Sequence, residues 1–344
     1  MGRVNLEEIG RMAGVSRSTV SRVVNGSPNV SPDVRARVEA VIAETGYQPH
    51  AAARSLASNR TGVFGLVIPS AAEALFDDPY FGRLILGITS ATNSMGTTLA
   101  LFLFDQESDE NSIIPRVVNP GLVDGVIVTA TQMGDPLIDH LQRVEMPFVV
   151  VGRPDNGRSM FSVDADNRGG ARLAARHLVG LGYRRIGLIS PPSNTTAGLD
   201  RRNGFLEGLA DSGASSGGFI SEGNWTEESG RLAMETLLAS TTSRPDAVFV
   251  GSDRMAVGAL RAIREAGLSC PSDVAVVSFD GILPPDRTMP RLTSVTQPVA
   301  EVGERAARLL ASIVDGTVTT PEHVVFSTHL VIRESCGAGD AQES

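Results

Sequence analysis

At 344 residues the chain is long enough for two or three domains with hydrophobic cores of their own, and 42% hydrophobic with 20% charged residues is a globular composition. The net charge of −9 is unevenly spread: residues 1–60 hold eight Arg against five acids, so a polyanion would meet this basic head rather than the acidic remainder. All 30 basic residues are arginine, which excludes the lysine of a P-loop, a Schiff base or a kinase. No window of about 18 apolar residues offers a membrane span, and the N-terminus has no secretory signature. Cys270 and Cys336 can neither build a disulfide framework nor space a metal site. A reducing cytoplasm is the compartment these features predict.

Leu6, Ile9 and Ala13 repeat at helical spacing, and Gly14 suits the left-handed turn after such a helix. The run GVSRSTVSRVVNGS follows. Ser16 can cap a second helix whose first turn holds Arg17, Ser18 and Thr19. Val20, Val23 and Val24 fall on one face of it, and Ser18, Ser21, Arg22 and Asn25 on the other. That polar face has no acid, only hydroxyls, an amide and arginine, the groups that bond phosphate oxygens and base edges. Alone, a serine-rich polar face is more often simply a solvated surface. Ser31 before Pro32 signals a third helix, with Val34, Val38, Val41 and Ile42 inward and Gly46 as its stop. Three short helices with a tight first turn make a helix-turn-helix, whose second helix enters the major groove.

The next stretch, YQPHAAARSLASNR, breaks at Pro49 and continues with two turns of helix former, Ala51–Ala57. So short a helix is unstable alone in water. Leu56 has no core nearby; it is either a minor-groove wedge between paired hinge helices or part of a plain linker.

Residues 4–60 resemble the headpiece of the LacI/GalR (lactose-repressor-type) family of bacterial transcription regulators. The V-S-x-x-T-V-S-R-V-x-N core and the Y-x-P-x-x-x-A-R-x-L hinge carry the resemblance. It implies that Arg17, Ser18 and Arg22 read bases, with Ser16, Thr19, Ser21 and Asn25 beside them. It also implies that the hinge residues His50, Ala53 and Leu56 meet the operator, Leu56 by intercalation. His50 stands where the family usually has Asn.

The remainder alternates strand-like and helix-like segments. Strands are expected at 63–68, 98–104, 125–128 and 147–151, then at 185–189, 247–250 and 274–278. Helices are expected at 168–181, 202–210, 227–239 and 254–266. The alternation predicts two parallel-sheet lobes, and such sheets bind ligands beyond the carboxyl ends of their strands. There lie a loop ending in Tyr80 and Phe81, then Arg201, the single tryptophan Trp225, Ser252, Asp253 and Asp280. Carboxylate, guanidinium and indole together suit a polyhydroxylated ligand. Each has a plainer reading: Trp225 as core, Asp253 as a helix cap, Arg201 and Asp280 as a structural ion pair.

This body resembles the same family's effector domain, which is similar to periplasmic sugar-binding proteins. The resemblance implies effector contacts from Tyr80, Phe81, Arg201, Trp225 and Asp280, and more weakly from Asp166. Ser252 stands where the lactose repressor has Asn. The expected architecture is an all-α helix-turn-helix headpiece (1–47), a hinge (48–60) and a two-lobed α/β periplasmic-binding-protein-like domain (61–337) with a disordered tail (338–344). The first lobe is expected at about 61–161 plus 294–322, and the second at about 162–292 plus 323–337. Interlobe crossings would then fall near 161–163, 292–293 and 322–323. The tail lacks the leucine heptads of tetrameric members, which predicts a homodimer.

The function expected is a dimeric repressor that binds a palindromic double-stranded operator under control of a small molecule, a sugar before a purine or other corepressor. A solute-binding protein without a DNA role fits neither the basic head nor the missing signal. An enzyme is not expected: G-x-G-x-x-G, P-loop, G-x-S-x-G and H-E-x-x-H are all absent, and the five histidines are scattered. No catalytic group, cofactor, metal or membrane partner is expected.

Overall fold

The computed structural model describes residues 4–24, 27, 29–47, 60–68, 77–103, 121–129, 132–155, 157–239 and 244–338. They divide into two compact units: a head running to Gly62, joined by the 119–124 segment, and a body made of the rest. Asn25, His50, Ala53 and Leu56, with most of the hinge and the tail from 339, lie outside the described residues.

In the head, α1 (Leu6–Ala13) opens with a capping box. Asn5 accepts from the Glu7 and Glu8 amides, and Glu8 accepts in return from the Asn5 amide at 2.9 Å. The helix ends on Gly14 at φ +67°, a conformation that suits a residue without Cβ. Gly10 lets the turn pass close, because a Cβ there would stand 2.8 Å from the Val15 carbonyl oxygen. Helix α2 (Arg17–Val24) follows, then α3 (Pro32–Thr45), which stops at Gly46 at φ +62°. Ser31 precedes α3 but makes no side-chain cap; Pro32, which needs no amide partner, starts the helix instead. Ile9, Ala13, Val20, Val23, Val38 and Tyr47 form the head's core. A core this small has little to spare. Ile9→Ala is expected to cost about 2–4 kcal/mol and to remove the head's melting transition while sparing the body's, which calorimetry resolves.

The body runs β1 (Val63–Ile68), α4 (Pro79–Ser94), β2 (Thr98–Leu103), β3 (Gly125–Val128), α5 (Pro136–Arg143), β4 (Phe148–Val151), β5 (Ser162–Ala165) and α6 (Asn167–Gly180). It continues through β6 (Ile186–Ser190), α7 (Thr196–Asp211), β7 (Ile220–Glu222), α8 (Glu227–Leu238), β8 (Ala247–Val250) and α9 (Asp253–Glu265). It finishes with β9 (Ala275–Asp280), β10 (Thr293–Thr296), α10 (Val299–Val314), β11 (His323–Phe326) and β12 (His329–Val331).

Two sheets form. The first has the order β11-β5-β4-β3-β1-β2, all parallel, and the second β12-β10-β9-β8-β6-β7, with only β12 antiparallel. The crossings between lobes come one strand later than expected. Strand β5 pairs with β4 (Val150 beside Ser162), β10 with β9 (Val295 beside Phe279), and β11 with β5 (His323 beside Ser162). The chain therefore crosses after Ala165, after Thr296 and after Phe326. Residues 162–165 and 323–326 belong to the first lobe and 293–296 to the second. Side-chain pattern reveals a strand but not which sheet it joins.

Helix pairs pack backbone to backbone at glycines. A Cβ at Gly87 of α4 would run into the Ala300 carbonyl of α10, and one at Gly258 of α9 into the Glu227 carbonyl of α8. The two lobes also touch directly. Arg153 binds Asp200, Arg254 meets Asp77 at 3.5 Å, and the Met133 amide donates to the Asn194 carbonyl at 2.8 Å. Ile282 is a peg between them. Its side chain packs into the first lobe's core, its amide donates to Asp253, and its carbonyl accepts from Arg83 at 3.1 Å.

Candidate functional site

The strand ends of the body converge on Arg201, which is 4% exposed in the second turn of α7. Its Nη1 donates to Asp280 Oδ1 at 2.9 Å and to the Gly251 carbonyl at 2.7 Å, and its Nε donates to Asn167 Oδ1 at 2.8 Å. The guanidinium lies 3.8 Å from the centre of the Phe279 ring and 5.4 Å from that of Trp225. Asp280 also accepts from Gln297 at 2.7 Å. Burial pushes the Asp280 carboxyl upward, against the pull of Arg201.

Three non-glycine residues among those described have positive φ, and two stand here: Trp225 at 71° and Asp280 at 114°. Such backbone costs of the order of 1–3 kcal/mol each and tends to gather at functional sites. Trp225 is half-buried rather than core.

From the first lobe, Asp164 at the end of β5 is 9% exposed and accepts from the Ala165 amide and from Asn167 Nδ2. Burial pushes its carboxyl up to about 7, helped by the charge of Asp200. Tyr80 lies within reach of the charges of Asp164, Arg201 and Asp280, and burial raises its phenol. Arg153 brackets Asp200 with Nε and Nη2 at 2.7 and 3.0 Å.

Four expected ligand residues stand at helix starts. Tyr80 and Phe81 sit in the first turn of α4, not at the end of a loop; Asp78 caps that helix, and Phe81 is buried in the first lobe's core. Asp166 is exposed and caps α6 through the Gly169 amide at 2.8 Å. Ser252 is 2% exposed and caps α9 through the Met255 amide. Asp253 does not cap, contrary to expectation. Its Oδ1 accepts from the Ser278 and Ser294 hydroxyls, and its Oδ2 accepts from the Ile282 and Leu283 amides, so it holds the loop after β9 in place. The structure adds Asn167 and Gln297 as partners of Arg201 and Asp280, and Asp164 from the first lobe, none of which the sequence reading proposes. The only available signal was Asp164, two residues before the aspartate that was chosen.

Asp164 predicts a pH dependence. A carboxyl that holds its proton more tightly folded than unfolded penalises folding as pH rises from about 4 to about 7, and the penalty is constant above that. The body should therefore melt lower at pH 8 than at pH 5. Asp164→Asn, which keeps both accepted hydrogen bonds, is expected to flatten that fall by up to about 1.4 kcal/mol per pH unit. Melts of both proteins across this range check it.

On the head, Val20 and Val23 of α2 are buried, while Arg17, Ser18 and Arg22 are exposed. Ser16 caps the helix through the Thr19 amide at 3.2 Å and lies 2.8 Å from the Ser18 hydroxyl. Thr19 and Ser21 are half-buried. The nearest acid to Arg17 is Glu7 at 4.0 Å, an exposed pair worth little. Among the described residues no cluster of His, Cys, Asp or Glu could hold a metal, and no helix is long and apolar enough to cross a membrane.

Residues 5–50 match the description "Bacterial regulatory proteins, lacI family", and residues 175–336 match "Periplasmic binding protein-like domain". The chain is 38% identical to the HTH-type transcriptional regulator CelR of Thermobifida fusca, over 97% of this chain and 98% of that one. It is 30% identical to catabolite control protein A of Priestia megaterium, over 96% and 99% respectively. A solved CelR–cellobiose complex superposes with a TM-score of 0.77 at 36% identity, covering 97% of this chain and 100% of that one. The lac repressor dimer bound to operator and the anti-inducer ONPF superposes at 0.84 and 26% identity, covering 97% and 99%. With the α2 face on one unit and a polar interlobe site on the other, the chain belongs to the LacI family, the DNA-binding transcriptional regulators controlled by small-molecule effectors.

Proposed function

We propose that the protein is a homodimeric repressor acting in the cytoplasm, with α2 of each head in the major groove of one half of a palindromic operator, and that a sugar bound between the lobes controls it. Arg201 carries the reading of the effector site. It is a buried cation oriented by Asn167, Gly251 and Asp280, flanked by the Trp225 ring, with Asp164 and Tyr80 facing it from the other lobe. Carboxylates accept sugar hydroxyls, guanidinium donates to them, and indole covers a sugar's apolar face. The similarity to CelR, solved with cellobiose, supports a sugar. The similarity to the operator-bound lac repressor dimer supports two heads on one site. Met289, 96% exposed beside a groove lined by Leu260, Leu268 and Arg261, offers apolar surface for a second copy to cover. In the operator complex Asn25, His50 and Ala53 would join the contacts and Leu56 would wedge the central step.

Selection of sheared genomic DNA on the purified protein tests the reading. Enrichment of a few palindromic sites, lost or gained on adding cellobiose or another neutral sugar, is the expected result. Enrichment that responds to hypoxanthine or guanine and to no sugar would replace the sugar with a purine. Binding without sequence preference at physiological salt would overturn the operator reading.

A further inference from the structure

Both guanidinium groups at the interlobe site are held largely by the protein's own acceptors, with Arg201 Nη2 left over for a neutral acceptor. Arg153 spends Nε and Nη2 on Asp200 and Nη1 on the Pro154 carbonyl at 3.1 Å. Arg201 spends Nε on Asn167 and Nη1 on Gly251 and Asp280. Arg254, at the mouth, faces Asp77, and Arg83 is turned to the Ile282 carbonyl. Against the two interior cations stand four carboxyl groups, those of Asp164, Asp200, Asp253 and Asp280. Asp78 adds a fifth at the start of α4, close enough to feel both Arg201 and Arg254. The remaining polar groups are neutral: Asn167, Gln297, the Tyr80 phenol and the buried Thr129 hydroxyl beside it.

We propose that this cleft selects an uncharged ligand and rejects phosphorylated and carboxylated relatives of the same molecule. The inference rests on the interlobe site being the effector site and narrows the class of sugar it takes. A phosphate or carboxylate paired in two-pronged fashion with either guanidinium would displace Asp200 from Arg153 or Asp280 from Arg201, leaving an uncompensated buried carboxylate. It would also sit among the remaining acids, where like charges oppose it. Hydroxyls meet no such obstacle. Each can donate to a carboxylate or accept from an amide.

Calorimetric titration of the full-length protein with matched pairs tests this. The neutral probes are cellobiose, maltose, sucrose and trehalose; the charged probes are their 6-phosphates and, for the reducing sugars, the aldonic acids; hypoxanthine and guanine complete the panel. The expected result is that a neutral sugar binds and its charged partner binds at least about tenfold more weakly. In Asp200→Asn, which frees Arg153, that ratio should shrink severalfold. A charged sugar binding as tightly as its neutral parent, or more tightly, overturns the inference while leaving the sugar reading intact. Binding of hypoxanthine or guanine and of no sugar removes the sugar reading while the preference for an uncharged ligand stands. A ratio unmoved in Asp200→Asn, with the ligand still bound, overturns the role given to the Arg153–Asp200 pair.

Discussion

Arg201→Ala is expected to destabilise the body by about 3–5 kcal/mol at pH 8 and to abolish the response to effector. The loss comes less from the missing cation than from what it leaves behind. Asp280 is 7% exposed, and its remaining partners are Gln297 and the Asp253 amide. Without Arg201 its carboxyl, already raised by burial, climbs further and takes up a proton. The sign follows from linkage. A folded-state carboxyl raised above its unfolded value costs nothing below about pH 4 and costs progressively more as pH rises through the folded value. The variant's deficit should therefore be smaller at pH 5 than at pH 8, as measured by urea melts at both. Removing both partners, Arg201→Ala with Asp280→Ala, should recover much of the stability but none of the effector response. A deficit below about 1 kcal/mol at pH 8 would mean that the pair is solvated rather than buried.

Arg22→Ala is expected to reduce the preference for operator over random DNA by roughly fivefold to a hundredfold, the range for losing one base-reading side chain. Arg22 is exposed on α2, while Val20 and Val23 on the other side of that helix are buried. The substitution should leave the head's melting temperature unchanged, because an exposed Arg contributes nothing to its core. Fluorescence anisotropy with operator and scrambled duplexes, at one fixed salt concentration, gives the ratio. If both affinities fall by the same factor, Arg22 meets phosphate rather than bases.

Much of the head could be read from sequence because its determinants are local. The valine stripe, the turn glycine at 14 and the Ser16 cap all act within one or two helical turns. The exception was Ser31, where proline supplied the start that a hydroxyl was expected to give. The interlobe site was legible only in part. Arg201, Trp225 and Asp280 announced themselves by chemistry at strand ends, and the structure brings all three together. Asp166, which the resemblance implies as an effector contact, and its neighbour Asp164 differ in setting for a local reason. Strand β5 ends at Ala165, so the chain turns and Asp166 caps the next helix, leaving Asp164 buried on the strand. Gln297 and Asn167 became visible only through partners far away in sequence. Strands β5, β10 and β11 were assigned to the wrong lobe because each is four residues long and its neighbours are set by distant pairing.

The threefold crossing has a consequence for synthesis. The head closes on contacts within its first 47 residues, and a ribosome completes it early. Neither sheet of the body can be finished until the last part of the chain has emerged, because the first needs β11 and the second needs β12. A message broken after the codon for Gln297 would release a folded three-helix head attached to a sensor with open strand edges. Such a fragment would answer to no ligand, and its unpaired edges would make it a target for aggregation and proteolysis. Interleaving the two lobes thus makes the sensing half of the protein all-or-nothing, and ties its appearance to translation of nearly the whole gene.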